Sequence, residues 1–318
     1  MRLEIVELAE HIAKIFVSLR KQDSPLKTMP ELEGKYINPL TDFGFKRLFG
    51  SEFNKELLIS FLNTLLDGEQ YIEDVTYLNG EQLGERRDSR RAIFDVFCRN
   101  DRGETFIVEM QNVYQQFFKD RAVYYSTFPI RDQAKRGDDW DFELNGVYTV
   151  GILNFEFHDG ADDGSSVKFP WHHEVKLMDI DRKTVFYDKL TYIYEEIPKF
   201  TKTEAELTSM FDKWMFVLKN LSRLMERPAA LQDRVFTRLF QQAEIAMFNK
   251  EELIQYEDSV KAYRDIANAI KTAERKKFAE GVAEGVAKTA KNMLSMNIPV
   301  ETIAQATGLS ADEIEKLR

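Results

Sequence analysis

Two acidic residues, Asp95 and Glu109, lie fourteen residues apart in otherwise apolar segments. The segments RAIFDVFCR and ETFIVEMQ are rich in β-branched and aromatic residues, so each is predicted to form a β-strand. Because side chains alternate along a strand, Gln111 shares a face with Glu109. The sequence therefore places two carboxylates and one amide in a predicted pair of strands.

The turn between the two predicted strands determines their register. Asp101-Arg102-Gly103 is typical of a three-residue hairpin turn whose last residue is left-handed, a conformation that glycine adopts without steric cost. Pairing Asn100 with Glu104 across this turn sets Asp95 opposite Glu109. Directly opposed Cβ atoms lie ~4.5 to 5.5 Å apart, so two desolvated carboxylates there require a cation between them or a shared proton.

Such a carboxylate pair suits a hard divalent cation. A divalent ion held by Asp95, Glu109 and a nearby main-chain carbonyl would polarise a phosphoryl oxygen and lower the pKa of a bound water. Mg²⁺ is the first choice because it prefers oxygen ligands and commonly rests on one or two carboxylates, and Mn²⁺ is the alternative. Gln111 can hold a water molecule but supplies no positive charge. The other interpretation is a pair of strand acids that bind arginines at a sheet edge.

The segments around the hairpin alternate between helical and strand patterns. Helical periodicity covers residues 41–66 and 113–136, and strand patterns cover residues 71–78, 147–157, 172–180 and 190–198. Beyond residue 202 the chain is predicted to be helical, with candidate helices near 203–223, 230–246 and 251–292. This order predicts an α/β fold in which helices flank a mixed sheet and a helical C-terminal extension follows.

The chain is predicted to divide into three regions. Residues 1–35 form an N-terminal helical appendage, which ends in a segment with two prolines and a glycine. Residues 36–200 form the domain that carries the hairpin. Residues 201–318 form the helical C-terminal region, which ends in a helix-turn-helix-like segment from residue 300 onwards.

Composition excludes several classes of function. The net charge of -10 argues against a general polyanion binder, so any contact with nucleic acid must be local. One cysteine, Cys98, and four histidines exclude a Cys/His zinc framework and an internal disulfide, which places the protein in the reducing cytoplasm. No uninterrupted apolar stretch of about 18 residues is present, so no membrane span is predicted.

Four ordered segments carry a family resemblance: INPLTDFGFKRLFG at 37–50, FDV at 94–96, IVEMQ at 107–111 and RAVYY at 121–125. Together they resemble the active site of the PD-(D/E)xK nuclease superfamily, with glutamine in place of the usual lysine. Within that superfamily the chain is similar to the recombination-promoting nuclease and transposase family of bacteria. The similar region spans roughly residues 36–160.

The resemblance implies a restriction-endonuclease-like core and a Mg²⁺-dependent endonuclease of double-stranded DNA, within recombination or mobile-element biology. It implies that Asp95 and Glu109 are metal ligands, that the main-chain oxygen of Met110 is a third, and that Gln111 orients the water. The superfamily often adds an acid from its first helix, and Asp42 occupies that motif. Because Gln111 removes a cation from the scissile phosphate, the resemblance also implies a lower rate.

Asp42 and Lys46 are four residues apart on a predicted helix. They could form an ordinary surface ion pair. Alternatively, the start of this helix faces the hairpin, where Asp42 completes the metal site and Lys46 supplies the charge that Gln111 lacks.

Basic residues near the hairpin are candidates for contact with the DNA backbone. The densest cluster immediately precedes the strand of Asp95 and consists of Arg86, Arg87, Arg90 and Arg91. These side chains could instead solvate a loop. Arg121 could present its guanidinium to a phosphate or serve within the fold.

The C-terminal region favours association with protein over contact with DNA. Glycine recurs every four residues in AEGVAEGVA at 279–287. Such a stripe of glycines would let another helix approach closely, which predicts a homo-oligomer formed through the C-terminal helices. The alternative is that the helix merely tolerates these glycines. The last predicted helix carries three acids against two bases, the wrong sign for a major-groove reader. A catalytically weak nuclease-fold protein that acts as an interaction module is therefore the second candidate function.

Overall fold

The computed structural model describes residues 34–66, 71–78, 94–134, 141–157 and 171–317. The predicted N-terminal helix and the arginine cluster at 86–91 lie outside the described residues.

In the described part of the chain, helices flank one mixed sheet. The strands are β1 (Val75–Tyr77), β2 (Val96–Asn100), β3 (Thr105–Gln111), β4 (Val147–Leu153), β5 (His172–Asp179) and β6 (Thr184–Glu196). The helices are α1 (Asp42–Phe49), α2 (Lys55–Leu65), α3 (Phe118–Asp132), α4 (Met210–Asn220), α5 (Arg234–Ala243), α6 (Lys250–Ser295), α7 (Val300–Thr307) and α8 (Ala311–Glu315).

The six strands follow the order β1-β2-β3-β4-β6-β5. Neighbours β1, β2 and β3 are antiparallel, β3-β4 and β4-β6 are parallel, and β5 returns antiparallel to β6. The connection from β3 to the parallel β4 contains α3, since parallel strands need a crossover. The predicted α/β architecture, a mixed sheet flanked by helices with a helical C-terminal region, is confirmed.

The hairpin of β2 and β3 has the predicted register. Val96 pairs with Val108, and the N–H of Asn100 donates to the carbonyl oxygen of Glu104 over 2.9 Å. Gly103 has a φ of 83°, the left-handed conformation expected at the third turn position. Strand β2 begins at Val96, so Asp95 lies immediately before it.

Each face of the sheet packs against different helices. One face contributes apolar side chains such as Val108 and Ile193 to the main core, which also contains residues of α1, α2, α4 and α5. On the other face, Ile107 packs with Phe128 of α3, and Tyr194 packs with Phe118 of the same helix. Since side chains alternate, Glu109 lies on the face that α3 covers.

Several elements begin at other residues than the periodicity predicted. Helix α4 begins at Met210 because the hydroxyl of Ser209 accepts a hydrogen bond from the N–H of Asp212, whose side chain bonds back in a capping box. Strand β6 begins at Thr184, well before the predicted residue 190, and its first residues are mostly exposed. Residues 184–187 are β-branched or aromatic, which is a strand signal that the sequence did contain, but they do not alternate between apolar and polar.

The chain forms two compact units. One is Pro30–Tyr263, which contains the sheet. The described part of the other begins at Arg264 and has a small core of its own around Ala290, Ile303 and Ile314. Among the described residues, no helix combines the length and apolar character needed to cross a membrane.

Candidate active site

The site is built where β2 begins and β3 ends. The main-chain N–H of Met110 on β3 donates a hydrogen bond to Oδ2 of Asp95 over 2.8 Å. This bond attaches the side chain of Asp95 to β3 directly before β2 begins. Glu109 pairs with Gly151 on the other side of β3, so its carboxylate lies on an interior strand of the sheet.

Burial makes both carboxylates reluctant to ionise. Burial raises the pKa of Asp95, and the charge of Asp42 adds to this, whereas the Met110 N–H and the charges of Lys46 and Arg121 oppose it. Charged side chains of α1 and α3 thus act on Asp95 electrostatically.

Glu109 is only 8% exposed. Burial and the charge of Asp95 raise its pKa to about 7, against the opposing effects of Arg121 and Gln111. The side-chain amide of Gln111 donates to Oε2 of Glu109 over 3.2 Å. A bound cation would relieve the cost of burying these two neighbouring carboxylates.

Arg121 on α3 lies beside Glu109. Its Nη2 is 3.7 Å from Oε2 of Glu109, and its Nη1 donates to Oε1 of Gln115 over 2.6 Å. The rings of Phe118 and Tyr125 lie 5.7 and 5.8 Å from the guanidinium carbon. The residue is therefore held from several sides.

Asp42 and Lys46 form the ion pair that the sequence allowed, with Nζ and Oδ1 2.7 Å apart. Their side chains are 65% and 47% exposed, as in an ordinary surface pair. Both charges nevertheless influence the pKa of Asp95. The pair thus lies at the edge of the site, open to solvent.

Helix α6 and strand β3 both hold the start of α1. Tyr256 and Ser259 of α6 accept hydrogen bonds from the main-chain N–H groups of Asn38 and Phe43, at 2.9 and 3.0 Å. The side-chain amide of Asn112, directly after β3, donates to the carbonyl oxygen of Leu40 over 2.9 Å. Helix α1 is thereby attached to the strand that carries Glu109.

Sequence reasoning missed an asparagine network at the ends of β3 and β4. Asn154 donates from its amide to Oδ1 of Asn112 over 3.2 Å and to the hydroxyl of Tyr263 over 3.0 Å. Each asparagine directly follows a buried strand, which is a signal that the sequence did contain. The contact with Tyr263 carried no such signal, because it joins residues 109 positions apart.

The donor set can accommodate a hard divalent ion. Asp95 and Glu109 offer oxygen ligands, and Mg²⁺ commonly rests on one or two carboxylates while it keeps several waters. Within the described ranges there is no group of three or more His, Cys, Asp or Glu residues that could hold a metal. Two carboxylates must therefore be supplemented by main-chain oxygen, water or substrate.

The cluster of Arg86, Arg87, Arg90 and Arg91 lies outside the described residues. His172 and His173 begin β5 at the opposite edge of the sheet from β1, where they contact Glu195 and Glu196 of β6.

Comparison with known proteins identifies one family. A family model described as PD-(D/E)XK nuclease family transposase matches residues 39–273, well over half of the 318-residue chain. The match includes α1, the whole described sheet and the first part of α6. Searches of curated proteins and of solved structures found no match.

Proposed function

Because the chain belongs to the PD-(D/E)XK nuclease family transposases, we propose that it is a metal-dependent endonuclease that hydrolyses phosphodiester bonds of double-stranded DNA. The observation that carries this proposal is the convergence of two carboxylates, the half-buried Asp95 and the buried Glu109, at one end of a hairpin. Burial raises the pKa of both groups, and a divalent ion would compensate their charge. A hairpin built only for stability would not need two acids there.

The ligand set supports Mg²⁺ as the cofactor, with Mn²⁺ as a substitute. We assign the carboxylates of Asp95 and Glu109 and the main-chain oxygen of Met110 to the ion. When bound, a divalent ion polarises the phosphoryl oxygen and lowers the pKa of a bound water. Gln111, already bonded to Glu109, is placed to orient the attacking water by hydrogen bonds.

Basic residues around the site are the proposed contacts for DNA. Arg121 lies beside Glu109, and Lys46 lies at the solvent-exposed edge with Asp42, which remains the candidate for a third acid. The arginines at 86, 87, 90 and 91 precede Asp95 in sequence and are proposed to contact the DNA backbone. Positive charge confined to this region would offset the net charge of -10.

The C-terminal helices are the proposed site of homo-oligomerisation. Side chains added at Gly281 or Gly285 of α6 would meet no atom of the described residues within 4 Å, which leaves room for a partner helix there. A second copy would supply a second active site to the assembly. Light scattering on the full chain, compared with a Gly281→Leu variant, tests this: the variant should have the smaller mass.

The nuclease proposal is tested with supercoiled plasmid. Purified protein with Mg²⁺ should nick the plasmid, and Asp95→Ala and Glu109→Ala should each abolish nicking, as should removal of the metal by a chelator. Glu174→Ala, an exposed acid on β5, is the matched control and should nick like the wild type. Equal activity in all three variants would show a contaminant and contradict the proposal.

A second candidate function is an interaction module of nuclease fold with feeble catalysis. Gln111 in place of lysine and the net negative charge favour it. In this case the wild type would not nick DNA at any Mg²⁺ or Mn²⁺ concentration, although it would still assemble through the C-terminal helices.

A further inference from the structure

We propose that the guanidinium of Arg121 is the catalytic cation at the scissile phosphate and replaces the charge that Gln111 cannot supply. This inference rests on the proposed nuclease function and deepens it. The positive charge of the site then comes from α3, and not from Gln111 on β3 or from Lys46 on α1.

The position of Arg121 is determined before any substrate arrives. Nη1 donates to Gln115, and the rings of Phe118 and Tyr125 lie within cation-π distance of the guanidinium. The side chain is 26% exposed, so one side of it remains open to solvent. A cation that is already ordered loses little conformational entropy when it contacts a phosphate.

One edge of the guanidinium has an unused donor. Nη2 is buried and has no hydrogen-bond partner among the described residues. Its distance of 3.7 Å from Oε2 of Glu109 is too long for a hydrogen bond, although the charges still attract. Buried donors are normally satisfied, so this N–H group calls for an acceptor other than the described residues.

A phosphate oxygen is the acceptor that fits both the charge and the place. An arginine N–H forms strong charge-assisted hydrogen bonds with phosphate oxygens. Glu109, the proposed metal ligand, lies within 4 Å of Nη2, so a phosphate bound at the metal would lie next to the unused donor. The same phosphate would thus contact both the metal held by Glu109 and the guanidinium of Arg121.

Lys46 is the other cation among the described residues that acts on Asp95, and it is less suited to this task. Its side chain is 47% exposed, and its ammonium group is paired with Asp42, which neutralises part of its charge. Lys46 lowers the pKa of Asp95, but Asp42 raises it and so partly cancels the effect. An exposed charge is also screened by salt, whereas the guanidinium of Arg121 lies deeper.

The chemistry shows why a fixed cation matters. The oxygen of a water molecule bonds to phosphorus, the bond from phosphorus to the leaving ester oxygen breaks, and that oxygen takes up one proton of the water. An alcohol and a phosphomonoester result. Negative charge grows on the phosphoryl oxygens during this step, and Arg121 N–H groups aimed at them stabilise the transition state more than the ground state.

The test compares Arg121→Gln, Arg121→Lys and Lys46→Gln in plasmid nicking. We expect Arg121→Gln to lower kcat by roughly 10² to 10³ with a much smaller change in KM, and Arg121→Lys to recover part of this loss. Lys46→Gln should mainly raise KM. Added guanidinium ion should partly restore Arg121→Gln, because the charge itself is missing, and should not affect Lys46→Gln.

A second measurement separates catalysis from support of the metal ligand. Titration calorimetry with Mn²⁺ alone, without DNA, should give nearly the same affinity for the wild type and Arg121→Gln. Loss of Mn²⁺ binding, absence of guanidinium rescue, or a kcat within threefold of the wild type would each overturn the role of Arg121. A wild type that fails to nick would instead contradict the nuclease proposal itself.

Discussion

The main-chain N–H of Met110 donates a hydrogen bond to Oδ2 of Asp95 over 2.8 Å. This bond orients the acid toward β3 without any cation, although Asp95 lies just before the first residue of β2. One oxygen of Asp95 is used for positioning, and the other is left for a ligand. Asp95 thus contributes both a hydrogen-bond acceptor and a negative charge, and a substitution can remove the charge while it keeps the acceptor.

Substituting Asp95→Asn should separate these properties by experiment. The asparagine oxygen can still accept the Met110 N–H, and the uncharged amide avoids the burial cost that raises the pKa of Asp95. We therefore expect a Tm in metal-free buffer at or above that of the wild type. Mg²⁺ should raise the Tm of the wild type, because it binds the folded state, and should not raise that of Asp95→Asn.

Thermal unfolding followed by circular dichroism measures both effects. Glu174→Gln, on an exposed part of β5, is the control and should keep the Mg²⁺ response. A Mg²⁺-dependent rise in the Tm of Asp95→Asn equal to that of the wild type would remove Asp95 from the metal site.

The hairpin could be predicted from sequence because local rules determine it. Gly103 permits the left-handed turn residue, the turn length sets the register, and strand alternation then brings Asp95 to Glu109. The contact of Arg121 with Glu109 could not be derived in this way, because the path and angle of the β3–α3 connection decide it. The hydrogen bond that Asn154 donates to Tyr263 depends on how a distant helix packs, which no local pattern records.

Asn112 should matter for activity through the position of α1. Its amide donates to the Leu40 carbonyl and its oxygen accepts from Asn154. Asn112→Ala should cost about 1 to 2 kcal/mol in the free energy of unfolding, because two hydrogen bonds are lost. It should also reduce nicking, since the start of α1, with Asp42, loses its attachment to β3.

Asn63 provides a matched control for Asn112. It bonds the main-chain N–H and carbonyl of Ile72, at 2.7 and 2.9 Å, far from the two carboxylates in sequence. Asn63→Ala should destabilise the fold to a similar degree, measured by urea unfolding, yet leave the nicking rate of the folded protein unchanged. Equal loss of nicking in both variants would mean that Asn112 acts only through stability.

Two helical glycines should respond oppositely to alanine. A Cβ at Gly44 of α1 would lie 2.1 Å from the carbonyl oxygen of Asn38, so Gly44→Ala must displace main chain. We expect a loss of ~1 to 3 kcal/mol in the free energy of unfolding. Gly281→Ala of α6 meets no atom of the described residues within 4 Å, so at a protein concentration that keeps the chain unassembled it should gain up to ~1 kcal/mol from helix propensity.

Urea unfolding of both glycine variants checks these signs. If Gly44→Ala were as stable as the wild type, the close approach of Gly44 to Asn38 would be wrong. A Gly281→Ala variant that is less stable only at high protein concentration would indicate that this glycine is buried between copies.

Glu195 should make the protein less stable as the pH rises. It is fully buried, and burial raises its pKa from 4.5 to about 7 despite the hydrogen bond of 2.7 Å with Nδ1 of His172. Burial alone would lower the pKa of His172, but Glu195 raises it. The folded state thus binds more protons than the unfolded state, so the free energy of unfolding is highest below pH 4.5 and falls as the pH rises through about 7.

Urea unfolding between pH 5 and pH 8 should show a decrease on the order of 2 to 3 kcal/mol from Glu195. Glu195→Gln should flatten this dependence. Its neighbour Glu196, on the opposite face of β6, is the matched control: burial would raise its pKa, but His173, Lys199 and the N–H of Phe157 lower it. Its contribution is present above its ordinary pKa of 4.5 and lost as the pH falls, so Glu196→Gln should weaken the fold most at neutral pH. If both variants changed the pH profile in the same direction, the two carboxylates would not be in the protonation states inferred here.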